Sequence, residues 1–114
     1  MNNIRNSVNL LGHLGADPEV TTFESGKMKA KVNLATKEVY KNEKGEKVEE
    51  TNWHHIVAWG KQAEAMGKFA KKGSEVAILG RLTTRKYEDK EGVSREIAEV
   101  TVNEFLLLDK KQSS

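Results

Sequence analysis

The sequence predicts an all-β fold, a five-stranded Greek-key barrel with one short helix between strands 3 and 4. Three observations predict it. Five segments alternate apolar and polar residues with the period of two that a strand requires. One stretch, between the third and fourth of these segments, changes to helical spacing. The 114 residues, 37% hydrophobic and 32% charged, suffice for a single domain with a modest core.

The first two predicted strands cover residues 7–14 and 28–39. Between them, residues 15–18 contain the only proline, residues 19–23 are short and β-rich, and residues 24–27 read as a turn. In the second strand, apolar residues alternate with polar ones, Met28, Ala30, Val32 and Leu34 against Lys27, Lys29, Lys31 and Asn33. The charged residues 40–50 are predicted to form a long hairpin loop.

The third predicted strand covers residues 51–59, and Ala63, Met66 and Ala70 then recur at the spacing of a helix over residues 61–71. The fourth and fifth strands are predicted over residues 75–87 and 95–108, joined by a charged hairpin at residues 88–92. We assign residues 1–108 to the barrel domain and residues 109–114 to a short polar tail. Three phenylalanines are assigned to packing: Phe23, Phe69 and Phe105.

Five strands with a helix in this position describe the oligonucleotide/oligosaccharide-binding barrel, the OB-fold. The binding face of such a barrel includes its second and third strands, and the loops after strands 1 and 4 flank it. We therefore expect a binding site on the second and third strands.

The third strand carries both tryptophans of the protein on one face. Strand alternation places Trp53, His55, Val57 and Trp59 together, and His54, Ile56 and Ala58 on the opposite face. A row of aromatic rings that ends near a cation, here Lys61, is a surface on which unpaired bases can stack. Two strand tryptophans are more often core residues, but His55 and Lys61 make this face less suited to a dry core.

Two tyrosines lie where strands enter the charged hairpins. Tyr40 ends the second strand, and Tyr87 ends the fourth directly after Arg85 and Lys86. Each alone reads as an ordinary surface tyrosine, but with the tryptophans they can form a discontinuous stacking path. The net charge of +2 is a weak global indication of nucleic-acid binding, and the cations concentrate at residues 71–72 and 81–86.

Composition and spacing argue against other classes of function. Cysteine is absent, and the adjacent His54 and His55 point to opposite faces of a strand, so no metal site is expected. Gly60-Lys61 lacks the earlier glycine of a phosphate-binding loop, and no serine has an evident base partner. We expect no cofactor and no enzymatic activity. Without a signal peptide or a membrane-length apolar run, a cytoplasmic protein is expected.

Across nearly the whole chain, from about residue 3 to residue 107, the sequence resembles bacterial single-stranded DNA-binding proteins of the homotetrameric type. The resemblance rests on residues 8–20, 33–36, 51–57, 60–61, 72–74, 80–82, 85–87 and 99–103. It implies a homotetramer that coats single-stranded DNA without sequence specificity in DNA replication, recombination and repair, and a nucleoid-associated location.

The resemblance also implies roles for individual residues. The positions of the family's stacking aromatics are occupied here by Tyr40, Trp53, Trp59 and Tyr87. Basic positions along the DNA path are matched by Arg5, Lys61, Lys72, Arg85 and Lys86. His54 matches a position at the subunit interface. Family members commonly continue into an acidic tip that recruits replication and repair enzymes, and residues 110–114 do not resemble it.

A second hypothesis stays open at this point. The chain could be an OB-fold assembly module, of the kind that accompanies a primosome, whose aromatic face packs on a protein partner. Lys and Arg beside Tyr87, and Lys beside Tyr40, favour nucleic acid.

Overall fold

The computed structural model of the protein describes residues 5–108. They form six strands and one helix: β1 (Val8–Leu14), β2 (Glu19–Thr22), β3 (Met28–Lys41), β4 (Lys47–Trp59), α1 (Lys61–Phe69), β5 (Glu75–Glu88) and β6 (Ser94–Leu107). The tail predicted over residues 109–114 lies outside the described residues.

Five of the strands close into a barrel. The neighbours run β1-β5-β6-β4-β3, and β1 pairs with β3 as well, which completes the ring. All of these pairings are antiparallel except β4 with β6, which are parallel at Ile56 and Val100. The predicted OB-fold is therefore confirmed. The segment predicted only as β-rich is β2, which pairs with the start of β3.

The closure of the barrel depends on a glycine in β1. Next to Gly12, β1 runs onto β3, where His13 and Leu14 pair with Ala35 and Leu34. A Cβ atom on Gly12 would overlap the carbonyl oxygen of Ala35. Because that oxygen belongs to the backbone, only a shift of a whole strand could relieve the overlap.

The core is built from the inward faces of the five barrel strands together with helix α1. Its largest fully buried side chains are Leu34, Ile56, Met66 and Val76. Helix α1 contributes Ala63 and Met66, and Ala70 follows directly after it. No helix in residues 5–108 is long and apolar enough to cross a membrane.

The predicted loop over residues 40–50 is wrong in extent. β3 continues to Lys41 and β4 starts at Lys47, so only residues 42–46 form the turn, closed by two backbone N–H groups that donate to Asn42 Oδ1. Charged residues are compatible with a strand when both of its faces meet water, as here beyond the barrel. The two strands are linked here by a 3.4 Å ion pair between Lys37 and Glu49. We call the part of this hairpin that extends beyond the barrel the β3–β4 ribbon, and the corresponding part of the β5–β6 hairpin the β5–β6 ribbon.

The packing assignment holds for one phenylalanine and is wrong for two. Phe105 packs against the core. Phe69 is 65% exposed, because the helix ends there and Ala70, rather than Phe69, takes the inward position. Phe23 is also exposed and stacks on Trp59 instead of entering the core.

The turn between β5 and β6 is organised by one carboxylate. Asp89 accepts hydrogen bonds from Arg95 Nε at 2.7 Å and from the backbone N–H groups of Glu91 and Val93. The Arg95 side chain, followed by the Val93 N–H, holds the pKa of Asp89 below its ordinary value. Through these three hydrogen bonds, Asp89 ties together the turn at the end of the hairpin that carries Tyr87.

Gly12→Ala tests the closure. We expect it to lower the free energy of unfolding by about 1–3 kcal/mol, the usual cost of overpacking, because the new methyl meets backbone. Urea denaturation measures the change. Ser7→Ala, an exposed neighbour, is the control and should stay within about 0.5 kcal/mol of the parent. Equal midpoints for Gly12→Ala and the parent would contradict this account.

Candidate nucleic-acid interface

The pairing of β3 with β4 creates a solvent-facing surface that we call the outer face. Residues directly opposite each other in an antiparallel pair lie on the same side of the sheet. The outer face consists of four such pairs: Lys29 with Trp59, Lys31 with Val57, Asn33 with His55, and Ala35 with Trp53. Within it Val57 is buried, whereas Trp53, His55 and Trp59 are exposed. The predicted grouping of both tryptophans with His55 and Val57 on one side of β4 is thus found in the structure.

Trp53 is the more open of the two tryptophans, with 60% of its surface exposed. Its ring lies against Gly15 in the β1–β2 connection. A Cβ on that glycine would come within 2.5 Å of Trp53 Cζ3. Gly15 therefore leaves the space in which the indole lies against this connection.

Trp59 sits in a cluster of cations and a second ring. Phe23 stacks on it with ring centroids 6.3 Å apart and planes inclined by 22°. The ammonium groups of Lys27 and Lys29 lie 5.8 and 5.2 Å from the centre of the Trp59 ring. Both distances are in the range of a cation–π attraction. This end of the outer face therefore combines π-surface with positive charge.

A groove of about 470 Å³ runs from the outer face to the β5–β6 ribbon. Its charged lining consists of Asp17, Glu19, Lys31, Arg85 and Glu99, beside His55 and Asn33. His55 Nδ1 and Asn33 Oδ1 are hydrogen-bonded at 3.1 Å. The groove is polar and of mixed charge. Attraction of a phosphate here would therefore depend on contact with its individual cations, Lys31 and Arg85, and not on the net charge of the groove.

Arg85 is held in place by Glu99. Its Nε and Nη2 donate to the two carboxylate oxygens at 3.4 and 3.3 Å. Glu99 is buried, whereas about half of the Arg85 side chain remains exposed. The Glu99 carboxylate therefore orients the guanidinium through one of its edges, and the rest of the group stays accessible to solvent.

Of the four predicted stacking aromatics, Trp53 and Trp59 share the outer face, whereas Tyr40 lies on the other side of the β3–β4 hairpin. Tyr87 alternates onto the same side of β5 as Arg85, on the ribbon that borders the groove, whereas Lys86 points to the other side. Tyr40 pairs with Val48, on the side of the β3–β4 ribbon opposite Trp53. Both tyrosines are exposed. Any strand that touches all four rings must therefore pass around the β3–β4 ribbon.

The remaining predicted cations lie at three places. Lys61 begins helix α1, two residues after Trp59. The Lys72 backbone N–H donates to Asp17 Oδ1 at 2.8 Å, which places Lys72 beside the groove. Arg5 is next to Asn6, whose side-chain amide bonds both backbone groups of Leu82 at 2.8 and 2.9 Å.

His54 faces away from the tryptophans, as predicted. It is half-buried, and its Nε2 is hydrogen-bonded to Thr36 Oγ1 at 2.9 Å. It pairs in register with Leu34. No group of three or more His, Asp or Glu side chains suited to a metal ion occurs within residues 5–108.

Three lysines and a phenylalanine in or beside the outer face are binding candidates that the sequence pattern alone does not identify. The alternation of Lys27, Lys29 and Lys31 indicates only the polar side of a strand. The register places Lys29 opposite Trp59 and Lys31 opposite Val57, and Lys27 reaches the Trp59 ring from the turn before β3. Phe23 offers no signal of its own, because a lone phenylalanine usually indicates packing.

Several known proteins are similar in sequence to this chain. A protein 39% identical over 96% of this chain is the single-stranded DNA-binding protein 1 of Xylella fastidiosa, and the match covers 81% of its length. The single-stranded DNA-binding protein of Neisseria meningitidis is also 39% identical, over 90% of this chain, but the match spans only 59% of that relative. These relatives are named as DNA-binding proteins and not as enzymes.

Solved structures share the fold. A Plasmodium falciparum SSB in complex with ssDNA matches with a TM-score of 0.84 and 27% identity, over 91% of this chain and 95% of the other. A deletion mutant of the single-stranded DNA binding protein from Thermus aquaticus matches with a TM-score of 0.81 and 27% identity, over 93% of this chain and 51% of the other. The model of the single-strand binding protein family matches residues 5–108, and the chain belongs to this family.

Proposed function

We propose that this protein binds and coats single-stranded DNA without sequence specificity. The observation that carries the proposal is the outer face, where two exposed tryptophans lie on one side of the β3–β4 hairpin together with Lys29 and Lys31. Membership of the family supports it, as does the likeness to a Plasmodium falciparum SSB whose structure contains ssDNA.

The rings and the cations have different tasks in this proposal. Trp53, Trp59, Tyr40 and Tyr87 stack on bases, and each stacked base is worth about 1–3 kcal/mol. The phosphates are contacted by cations at the positions Arg5, Lys61, Lys72, Arg85 and Lys86, joined by Lys29 and Lys31 of the outer face. Every base has a π-face and every nucleotide a phosphate, so the binding tolerates any sequence.

The same chemistry selects for unpaired strands. In a duplex the bases are already stacked on each other, so their faces are closed to Trp53 and Trp59. A protein that binds only the single strand shifts the equilibrium away from hairpins and duplex by mass action. We place this activity in DNA replication, recombination and repair, in the cytoplasm and associated with the nucleoid.

We further propose that the protein is a homotetramer. The sheet formed by β1, β5 and β6 exposes an apolar outer surface that includes Leu11, 57% exposed, and Leu106, 62% exposed. Within residues 5–108, the edge of β1 away from β5 pairs with β3 only at its end. Apolar patches and open strand edges are typical of surfaces that another chain covers. His54, as the resemblance implies, lies near a subunit contact in this arrangement.

Titration with oligo-dT tests the proposed function. We expect strong quenching of tryptophan emission at low salt, because stacking brings bases onto both indoles. Trp53→Ala and Trp59→Ala should each weaken binding by about 1–3 kcal/mol without changing the oligomeric mass. The slope of log K against log salt should be about −0.7 per phosphate contacted.

Phe69→Ala is the control for these variants, since it removes an equally exposed ring from helix α1, outside the outer face. Its affinity should equal that of the parent. Emission that does not respond to oligo-dT at low salt would contradict the proposal. Loss of a protein partner in the tryptophan variants, with oligo-dT binding marginal throughout, would favour the assembly-module alternative.

Native mass spectrometry tests the tetramer. Leu106→Glu puts a charge into the apolar sheet surface, and we expect the main species to fall from four chains to two or one. Val39→Glu changes an equally open valine on the β3–β4 ribbon and should leave the mass unaltered. If the parent protein had the mass of a single chain, the proposed tetramer would be refuted. The proposal of DNA binding would not be affected.

A further inference from the structure

We propose that Phe23 and Trp59 together form one composite stacking site for a base, and that Lys27 and Lys29 supply the adjacent phosphate contacts. The inference rests on the proposed function and extends it from Trp59 to Phe23, Lys27 and Lys29, which neither the sequence resemblance nor the family match assigns. It adds a stacking ring and places one end of the DNA path at the β2–β3 turn.

The turn holds Phe23 in a defined place. The Phe23 N–H donates to the Lys27 carbonyl at 2.8 Å, and the Gly26 N–H donates to the Phe23 carbonyl at 2.8 Å. Gly26 has a φ of 90°, which a glycine adopts without strain. β2 is itself paired to β3, so the ring is carried by a short, closed hairpin. Phe23 is therefore built into the edge of the outer face.

Phe23 is 44% exposed, and it differs from the exposed Phe69 in being paired with a second aromatic ring. It is offset against Trp59 at a centroid distance within the range of favourable aromatic pairs. The two rings are nearly parallel and both stay partly exposed, so one base can contact both. Such a contact suits a base, since purine and pyrimidine rings gain by covering flat aromatic area.

The two lysines fit the same ligand. In the free protein their ammonium groups lie over the Trp59 ring. An incoming base can take their place over the indole, and the flexible side chains can then reach the phosphate of that nucleotide. The base then stacks on the indole. Each lysine replaces a weak cation–π contact with a contact to a negatively charged phosphate.

The site is separate from the one at Trp53. Trp59 lies six residues further along β4, which corresponds to about 20 Å of strand. A nucleotide bound at Phe23 and Trp59 therefore does not touch Trp53. Because the protein has only two tryptophans, each site can be observed alone.

Trp53→Phe provides the test protein, in which Trp59 is the sole tryptophan. In this background, Phe23→Leu keeps an apolar side chain but removes the ring. We expect it to weaken oligo-dT binding about fivefold or more and to reduce the quenching of Trp59. Phe69→Leu in the same background is the matched control and should change neither quantity. Urea unfolding of all variants monitors the fold.

Lys29→Gln tests the phosphate contact independently of the ring. It should reduce the magnitude of the salt slope by about 0.7, the value for one contact to a single strand. Unchanged affinity and quenching in Phe23→Leu, or an unchanged salt slope in Lys29→Gln, would overturn the composite site while the parent still bound oligo-dT. If the Trp53→Phe protein and the parent both failed to bind oligo-dT, the proposed function itself would fall.

Discussion

The register between β3 and β4 decides which side chains of this hairpin are buried and which meet the solvent. It places Ala30, Ala58, Val32 and Ile56 in the barrel and leaves Trp53 and Trp59 in water. A slip by one residue would exchange the two sets. That exchange would cost about 1.5–3 kcal/mol for each large aliphatic side chain exposed, and it would force two indoles into a space shaped for smaller residues. The core thus holds the binding surface in place: burial on one side of the strand fixes which rings face the solvent on the other.

Charge is used locally in this molecule. The net charge is only +2, and carboxylates line the groove beside Lys31 and Arg85. The buried Glu99 orients Arg85, and Asp17 receives the backbone N–H of Lys72 at the groove. These acids position cations, or the loops that carry them, instead of repelling a strand from the whole surface. Binding then depends on a few placed cations and on aromatic stacking, which is why the total charge predicts so little about the function.

Much of the fold could be predicted from the sequence, because the alternation in β1, β3, β4 and β5 is clear and helix α1 changes the period. The extent of the β3–β4 ribbon could not, because its charged residues look the same in a loop and in a strand with water on both faces. The tryptophan face could be predicted from alternation within one strand. Its neighbours Lys29 and Lys31 needed the register of a second strand, and the Phe23–Trp59 pair needed a contact between two distant segments. The local sequence pattern predicts which residues share a face of one strand. The rest of the site depends on contacts between segments that are distant in the sequence.

The proposed function requires that the indole rings on the outer face are open to unpaired bases while the opposite side of the same strand stays packed. NMR spectra recorded while oligo-dT is added observe both sides of the strand at once. We expect large shifts of the Trp53 and Trp59 indole Nε1–H signals, with the methyl signals of Leu34, Ile56 and Met66 unmoved. Core methyl signals that shift while both indole signals stay in place would contradict it.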